Sequence, residues 1–237
     1  MKAAAAQTGR EWPSAGRSPL EQLLHGLNQP LTGLQCSMEV ALASPRTVDY
    51  YAQRLREGLE LTERMRALVN AIREVVDGER ERNEINKDGA YAEDTETVEL
   101  QAVLRAVVDE LKPVAEVKRV HMMLQGDAGA CAWVKGGQQK LSTIIFRMLE
   151  SALSQAARGS ALRIESGDGE KIGAEGAWLC IRWRAGERGA ELSPPELGLL
   201  VAQAGWTQAG AQWLREKTDA GEAVTVQMLP VSGDRTS

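Results

Sequence analysis

The sequence predicts an α + α/β protein, an antiparallel helical hairpin followed by an α/β sandwich. Three observations predict it. Apolar residues in the first eighty positions recur at alternating spacings of four and three. A charged stretch without apolar periodicity, GERERNEINKDGAYAEDTE, then interrupts the chain. From Thr97 onward, strand-like runs alternate with helical ones. The 237 residues, 43% of them apolar, are enough for one large or two small cored domains.

The hairpin rests on two seams. The first runs Leu20, Leu24, Leu27, Leu31, Leu34, Met38, Ala41. Ser18-Pro19 with Glu21 supplies a capping box and a first-turn proline, and Pro45 ends the helix near Ala43-Ser44. The second runs Tyr51, Leu55, Gly58, Thr62, Met65, Val69, Ile72, Val76, on a helix expected from Thr47 or Asp49 to about Asp77. One hairpin cannot cover two apolar stripes, so a homodimer forming a four-helix bundle is expected. The division is then a lead-in over 1–17, the hairpin over 18–80, a linker over 81–96 and the second domain over 97–237.

His25 falls roughly 150° from the first seam and points to solvent, in a stripe with Ser18, Gln22, Gln29 and Thr32. Pro30, inside the helix, removes a backbone hydrogen bond and is expected to kink or loosen the turn below the histidine. An interior proline costs about 3 kcal/mol relative to alanine, which calls for a reason.

The stretch His25-Gly26-Leu27-Asn28-Gln29-Pro30-Leu31 resembles the H-box of two-component sensor histidine kinases, commonly H-E-L-N-Q-P-L. The resemblance implies that His25 is a phosphoacceptor in a dimerisation and phosphotransfer domain. It departs at Gly26, where the family has a carboxylate that polarises the histidine for attack on ATP. Glycine cannot act as a base.

In the second domain, Val98 and Leu100 suggest a short strand. Leu104, Val107, Val108, Leu111, Val114 and Val117 suggest a helix broken or bent near Pro113. Strands are expected at 121–124 and 130–134, then a strong helix from Leu141 to about Arg158. Further strands are expected at 161–165, 178–183, 213–217 and 224–229, with a helix from Pro194 to about Gly205. The order β-α-β-β-α-β-β-α-β-β implies helices on one face of a mixed sheet.

That order resembles the ATP-binding domain of histidine kinases, the Bergerat-type fold, over about Thr97 to Pro230. FRMLESALSQAARGS (146–160) sits where the family has its N-box, with Arg147 and Ser151 at the two asparagine positions. The second asparagine holds magnesium in the family; serine offers only a hydroxyl. Arg184 stands near the aspartate that accepts from adenine, and arginine has no acceptor. Leu197-Gly198-Leu199 matches the end of the second glycine box. The lid before it is missing, and the one phenylalanine, Phe146, lies in a helix. Base recognition, metal binding, lid and general base are thus lost together.

Other candidates read as structural. Three cysteines, Cys36, Cys131 and Cys180, lack metal or CxxC spacing and read as reduced thiols. His121 reads as a core or edge histidine, Gly136-Gly137 as a weak phosphate-loop mimic, and Gly167-Asp168-Gly169 with Gly173 as a hairpin turn. Trp178, Trp183, Trp206 and Trp213 are expected to pack where sheet and last helix meet. A net charge of −5 speaks against nucleic acid as main partner. No apolar run approaches the ~20 residues of a membrane span. No signal peptide is recognisable, and the lead-in is too short for a sensor domain. A cytoplasmic location is expected.

The expected function is a histidine phosphotransferase of a phosphorelay, with His25 exchanging phosphoryl groups with aspartates of response-regulator receiver domains and Gln29, one turn below, contacting the phosphoryl group or the partner. The receiver supplies Mg²⁺, so this chain needs no cofactor and no metal of its own, and ATP binding is expected to be lost. Two alternatives stay open: a divergent soluble histidine kinase that autophosphorylates His25 with ATP, and a pseudokinase binding module that is not phosphorylated.

Overall fold

The structure, a computed structural model, describes residues 18–87, 97–126, 132–135, 137–168, 176–186, 193–218 and 221–228. The lead-in, most of the linker, Cys131, Gly136 and the turn after Asp168 lie outside the described residues.

Helix α1 spans Pro19–Ala43. Its start is fixed by the expected capping box: the Glu21 amide donates to Ser18 Oγ at 3.1 Å, and the Ser18 amide donates to Glu21 Oε2 at 3.2 Å. Its end is Ser44, extended before Pro45. The helix runs through Pro30 as one element, and Pro30 is buried on the packed side. Helix α2 spans Val48–Lys87, ten residues beyond the expected end at Asp77. The residues from Gly78 lack an apolar stripe but are mostly good helix formers, so propensity carries the helix on.

The inner face of α1 differs from the expected seam. Leu23, absent from it, is fully buried, together with Gly26 and Pro30. Leu24, Leu31 and Met38, placed in it, are 48%, 52% and 54% exposed. The apolar stripe of α1 is wider than one neighbour covers. The chain's own packing takes the Leu20–Leu23–Leu27 side and leaves the 24–31–38 edge open.

The second part follows the expected order: β1 (Thr97–Glu99), α3 (Leu100–Lys118), β2 (His121–Gly126), β3 (Trp133–Lys135), α4 (Gln138–Gln155), β4 (Ala161–Asp168), β5 (Ala177–Trp183), α5 (Pro194–Gln208), β6 (Gln212–Thr218) and β7 (Gly221–Met228). α3 is continuous through Pro113. It stops where Arg119 turns left-handed (φ 56°), which lets the Arg119 and Val120 amides reach the last carbonyls. The strands form a five-stranded sheet in the order β2-β4-β5-β7-β6, with β2 and β4 parallel and the other pairs antiparallel. β1 and β3 pair separately.

One core lies between this sheet and α3, α4 and α5. Leu104, Ile145, Leu149, Ile164, Ile181 and Val224 are at its centre. Trp183 and Trp206 are buried in it and Trp213 packs at its margin, as expected. Trp178 does not join them: strand alternation sends Leu179 and Ile181 inward and turns Trp178 to the other face. A second, smaller cluster joins the two parts: Leu23, Leu68, Ala71 and Val75 of the hairpin meet Leu197, Leu200 and Ala204 of α5.

Candidate functional site

His25 lies in the second turn of α1 with its side chain exposed, and Gln29 and Thr32 are exposed on the same face. This stripe is opposite Leu23 and Pro30, because residues seven apart share a face and residue 25 is two positions round from 23. The Thr32 hydroxyl donates to the Asn28 carbonyl at 2.9 Å, a local bond that leaves His25 and Gln29 the outward polar groups of the two turns. The His25 side chain is therefore open to solvent. Gly26 is buried, on the packed side of α1. Position 26 is thus a place where a carboxylate would have to leave water, a further reason why this chain's helix suits glycine.

The residues of the second glycine box, the N-box and the turn after β5 do come together. Ser151, at the second asparagine position of the N-box that the stretch resembles, is buried beneath α5, and a Cβ on Gly198 would overlap its hydroxyl. Arg147, at the other asparagine position, extends to the hairpin and pairs with Glu74 at 2.5 Å. The turn after β5 closes onto the end of α4: the Ala157 amide donates to Arg184 O and the Gly186 amide to Gln155 O, each at 2.8 Å. A cleft of about 320 Å³ remains between α2, α4 and α5, bounded by Asn70, Glu74, Arg147, Glu150, Ser151 and Ser154. It holds two carboxylates against one guanidinium, and that guanidinium is already paired. Among the described residues no group of three His, Cys, Asp or Glu side chains is placed to hold a metal ion. Restoring the metal ligand should therefore fail: Ser151→Asn overfills the α4–α5 contact. Urea unfolding is expected to show about 1–3 kcal/mol lost, and calorimetry no MgATP binding gained.

Sequence reasoning missed Arg215. From β6 its guanidinium grips both oxygens of Glu196 at the start of α5 (2.6 and 2.9 Å) and Glu222 of β7 (2.5 and 3.1 Å), and reaches Gln155 Oε1 at 3.5 Å. The fork geometry is that of a strong charge-assisted pair. Hydrogen bonds from Arg215 hold the Glu196 carboxyl below the usual carboxylate range, against the opposing effect of burial. Burial disfavours the charge on Arg215, but its bonds to Glu196 and Glu222 outweigh this and raise its pKa. The sign follows: a depressed carboxyl stabilises the fold above its unfolded value, and that contribution is lost as pH falls through the lower folded value. The urea midpoint should fall as the pH drops below about 5, and Arg215→Met should flatten that part of the profile. No sequence signal marks the cluster, since residues 155, 196, 215 and 222 come from four elements.

Compared with known structures, the chain is similar to the histidine kinase AdeS of Acinetobacter baumannii, with a TM-score of 0.50 and 15% identity over 86% of this chain and 97% of that one. The match takes in hairpin and sandwich together. The chain has the histidine-kinase fold. Weaker likenesses are to the cytoplasmic segment of histidine kinase QseC (TM-score 0.46, 14% identity, 65% of this chain and 95% of that one) and to the catalytic domain of histidine kinase ThkA (0.48, 13%, 56% and 94%). No protein-family description matches the chain, and no curated protein does. No helix among the described residues of this histidine-kinase-like chain is long and apolar enough to cross a membrane.

Proposed function

We propose that this chain is a histidine phosphotransferase of a two-component phosphorelay, in which His25 takes phosphate from, and gives it to, aspartates of response-regulator receiver domains. One observation supports the reading: an exposed histidine in a stretch that resembles an H-box sits on a histidine-kinase fold in which the two residues at the N-box positions are engaged within the chain, Ser151 beneath Gly198 and Arg147 with Glu74. His25 Nε2 attacks the phosphorus of the receiver's aspartyl phosphate; the N–P bond forms as the P–O bond to the aspartate breaks, and the carboxylate leaves. The receiver's Mg²⁺ and lysine neutralise the phosphoryl oxygens, so the missing general base and metal ligand here are no obstacle. Gln29, one turn below, is placed to hydrogen-bond the phosphoryl group or the docked partner.

The working unit is a homodimer. Met38 and Ala41 of α1 with Tyr51, Leu55 and Leu59 of α2 border an open apolar groove of about 330 Å³, continuous with the exposed edge of Leu24 and Leu31. A second hairpin covers both and completes a four-helix bundle in the cytoplasm, with His25 outside the seam. Incubation with a phosphorylated receiver should place acid-labile, base-stable phosphate on the chain, whereas MgATP alone should place none. Labelling by ATP alone would instead select a divergent kinase. Failure of both donors would select an unphosphorylated binding module.

A further inference from the structure

Helix α5 is apolar on two opposite sides. Leu199, Ala202 and Trp206 enter the sheet core, while Leu197, Leu200 and Ala204 enter the cluster with Leu23, Leu68, Ala71 and Val75 of the hairpin. A helix with apolar residues all round is one with neighbours all round. Gly198 and Gly205 bring it close to α4, against Ser151 and Ile144, where a Cβ would crowd both. Two polar contacts at adjacent positions of α2 complete the joint. Arg147 of α4 pairs with Glu74, and the Gln208 side chain of α5 lies against Gly78 with its Nε2 donating to the Val75 carbonyl at 3.1 Å. Arg215 then fastens the start of α5 to β6 and β7.

We propose that α5 is a two-faced wedge that locks the second domain onto the hairpin in a single position without any nucleotide. The joint buries apolar side chains from three helices. The second domain is therefore a fixed shoulder beside α1, and the chain keeps one spatial relation between His25 and α5 throughout its cycle. This holds whether or not His25 carries phosphate, so it stands or falls separately from the phosphotransfer reading.

Hydrogen exchange and small-angle scattering on the full chain test the lock. Wild type should show slow exchange over residues 67–75 and one compact profile, neither altered by MgATP. Leu200→Asp puts a carboxylate into the hairpin-facing side of α5 only. It should speed exchange over 67–75 at least about tenfold and enlarge the particle, while Trp206 fluorescence stays native. Unchanged exchange and size in this variant would overturn the proposal, as would a wild-type chain that scatters as two loosely joined bodies. Should Leu200→Asp not fold, the surface pair decides. Arg147→Glu should speed exchange over 67–75 and the swap with Glu74→Arg should restore it; a swap that restores nothing overturns the lock.

Discussion

His25→Ala is expected to lose all acid-labile phosphate received from a phosphorylated receiver while its folding and dimerisation stay as in wild type. The side chain is exposed and makes no packing contribution to the cluster of Leu23, Leu68 and Leu197, so truncation removes the nucleophile and little else. No second group can replace it. His121 lies at the start of β2, on the edge strand of the sheet in the other domain. Gln29→Ala should act on rate rather than capacity, slowing transfer about tenfold with the final extent of labelling unchanged, as for the loss of one hydrogen bond of about 1.4 kcal/mol. Phosphohistidine quantified after a time course of transfer separates the two variants. Residual base-stable label in His25→Ala would show that another residue accepts the phosphate.

Trp206→Ala should cost about 3–5 kcal/mol, the largest stability loss expected of any single truncation in the chain. Trp206 is the largest fully buried side chain among the described residues, and it projects from the wedge helix into the sheet core. Its removal leaves a cavity that Gly205 and Ala204 beside it cannot fill. Its indole nitrogen has no hydrogen-bond partner among the described residues. Trp206→Phe should therefore keep most of the stability, with a loss under about 1.5 kcal/mol, because shape rather than a polar bond is what the site uses. Urea unfolding followed by circular dichroism measures both. A Phe variant as unstable as the Ala variant would contradict this account of the core.

Much of this fold is legible in the sequence because local and tertiary preferences agree. The order of all ten elements after Thr97 follows from apolar periods and Gly or Pro punctuation, and the capping box at Ser18 and Glu21 follows from four residues. The exposure of His25 follows from its angle to the apolar stripe. What the sequence conceals is which side of a broad stripe finds a neighbour. Leu23 and Leu24 are adjacent leucines, and only the arrival of α5 decides that the first is buried and the second half open. The end of α2 lies beyond the apolar seam, within a turn or three of the extension the charged stretch allows, because periodicity signals packing whereas Gly78–Lys87 is helical by propensity. The Arg215 cluster is out of reach for another reason: its partners are distant in sequence, and an arginine in a strand ordinarily reads as a solvated face.

The losses at Arg147, Ser151 and Arg184 acquire a physical meaning from the packing. Three of the positions at which the resemblance would place nucleotide contacts are engaged within the chain: Arg147 with Glu74, Ser151 beneath Gly198, and the Arg184 carbonyl at the end of α4. On the proposed function, His25 depends on phosphate brought by a partner. Titration of the chain with MgATP in a calorimeter tests that account most directly. The expected result is no saturable heat up to millimolar nucleotide; a saturable isotherm with about one site per chain would contradict it.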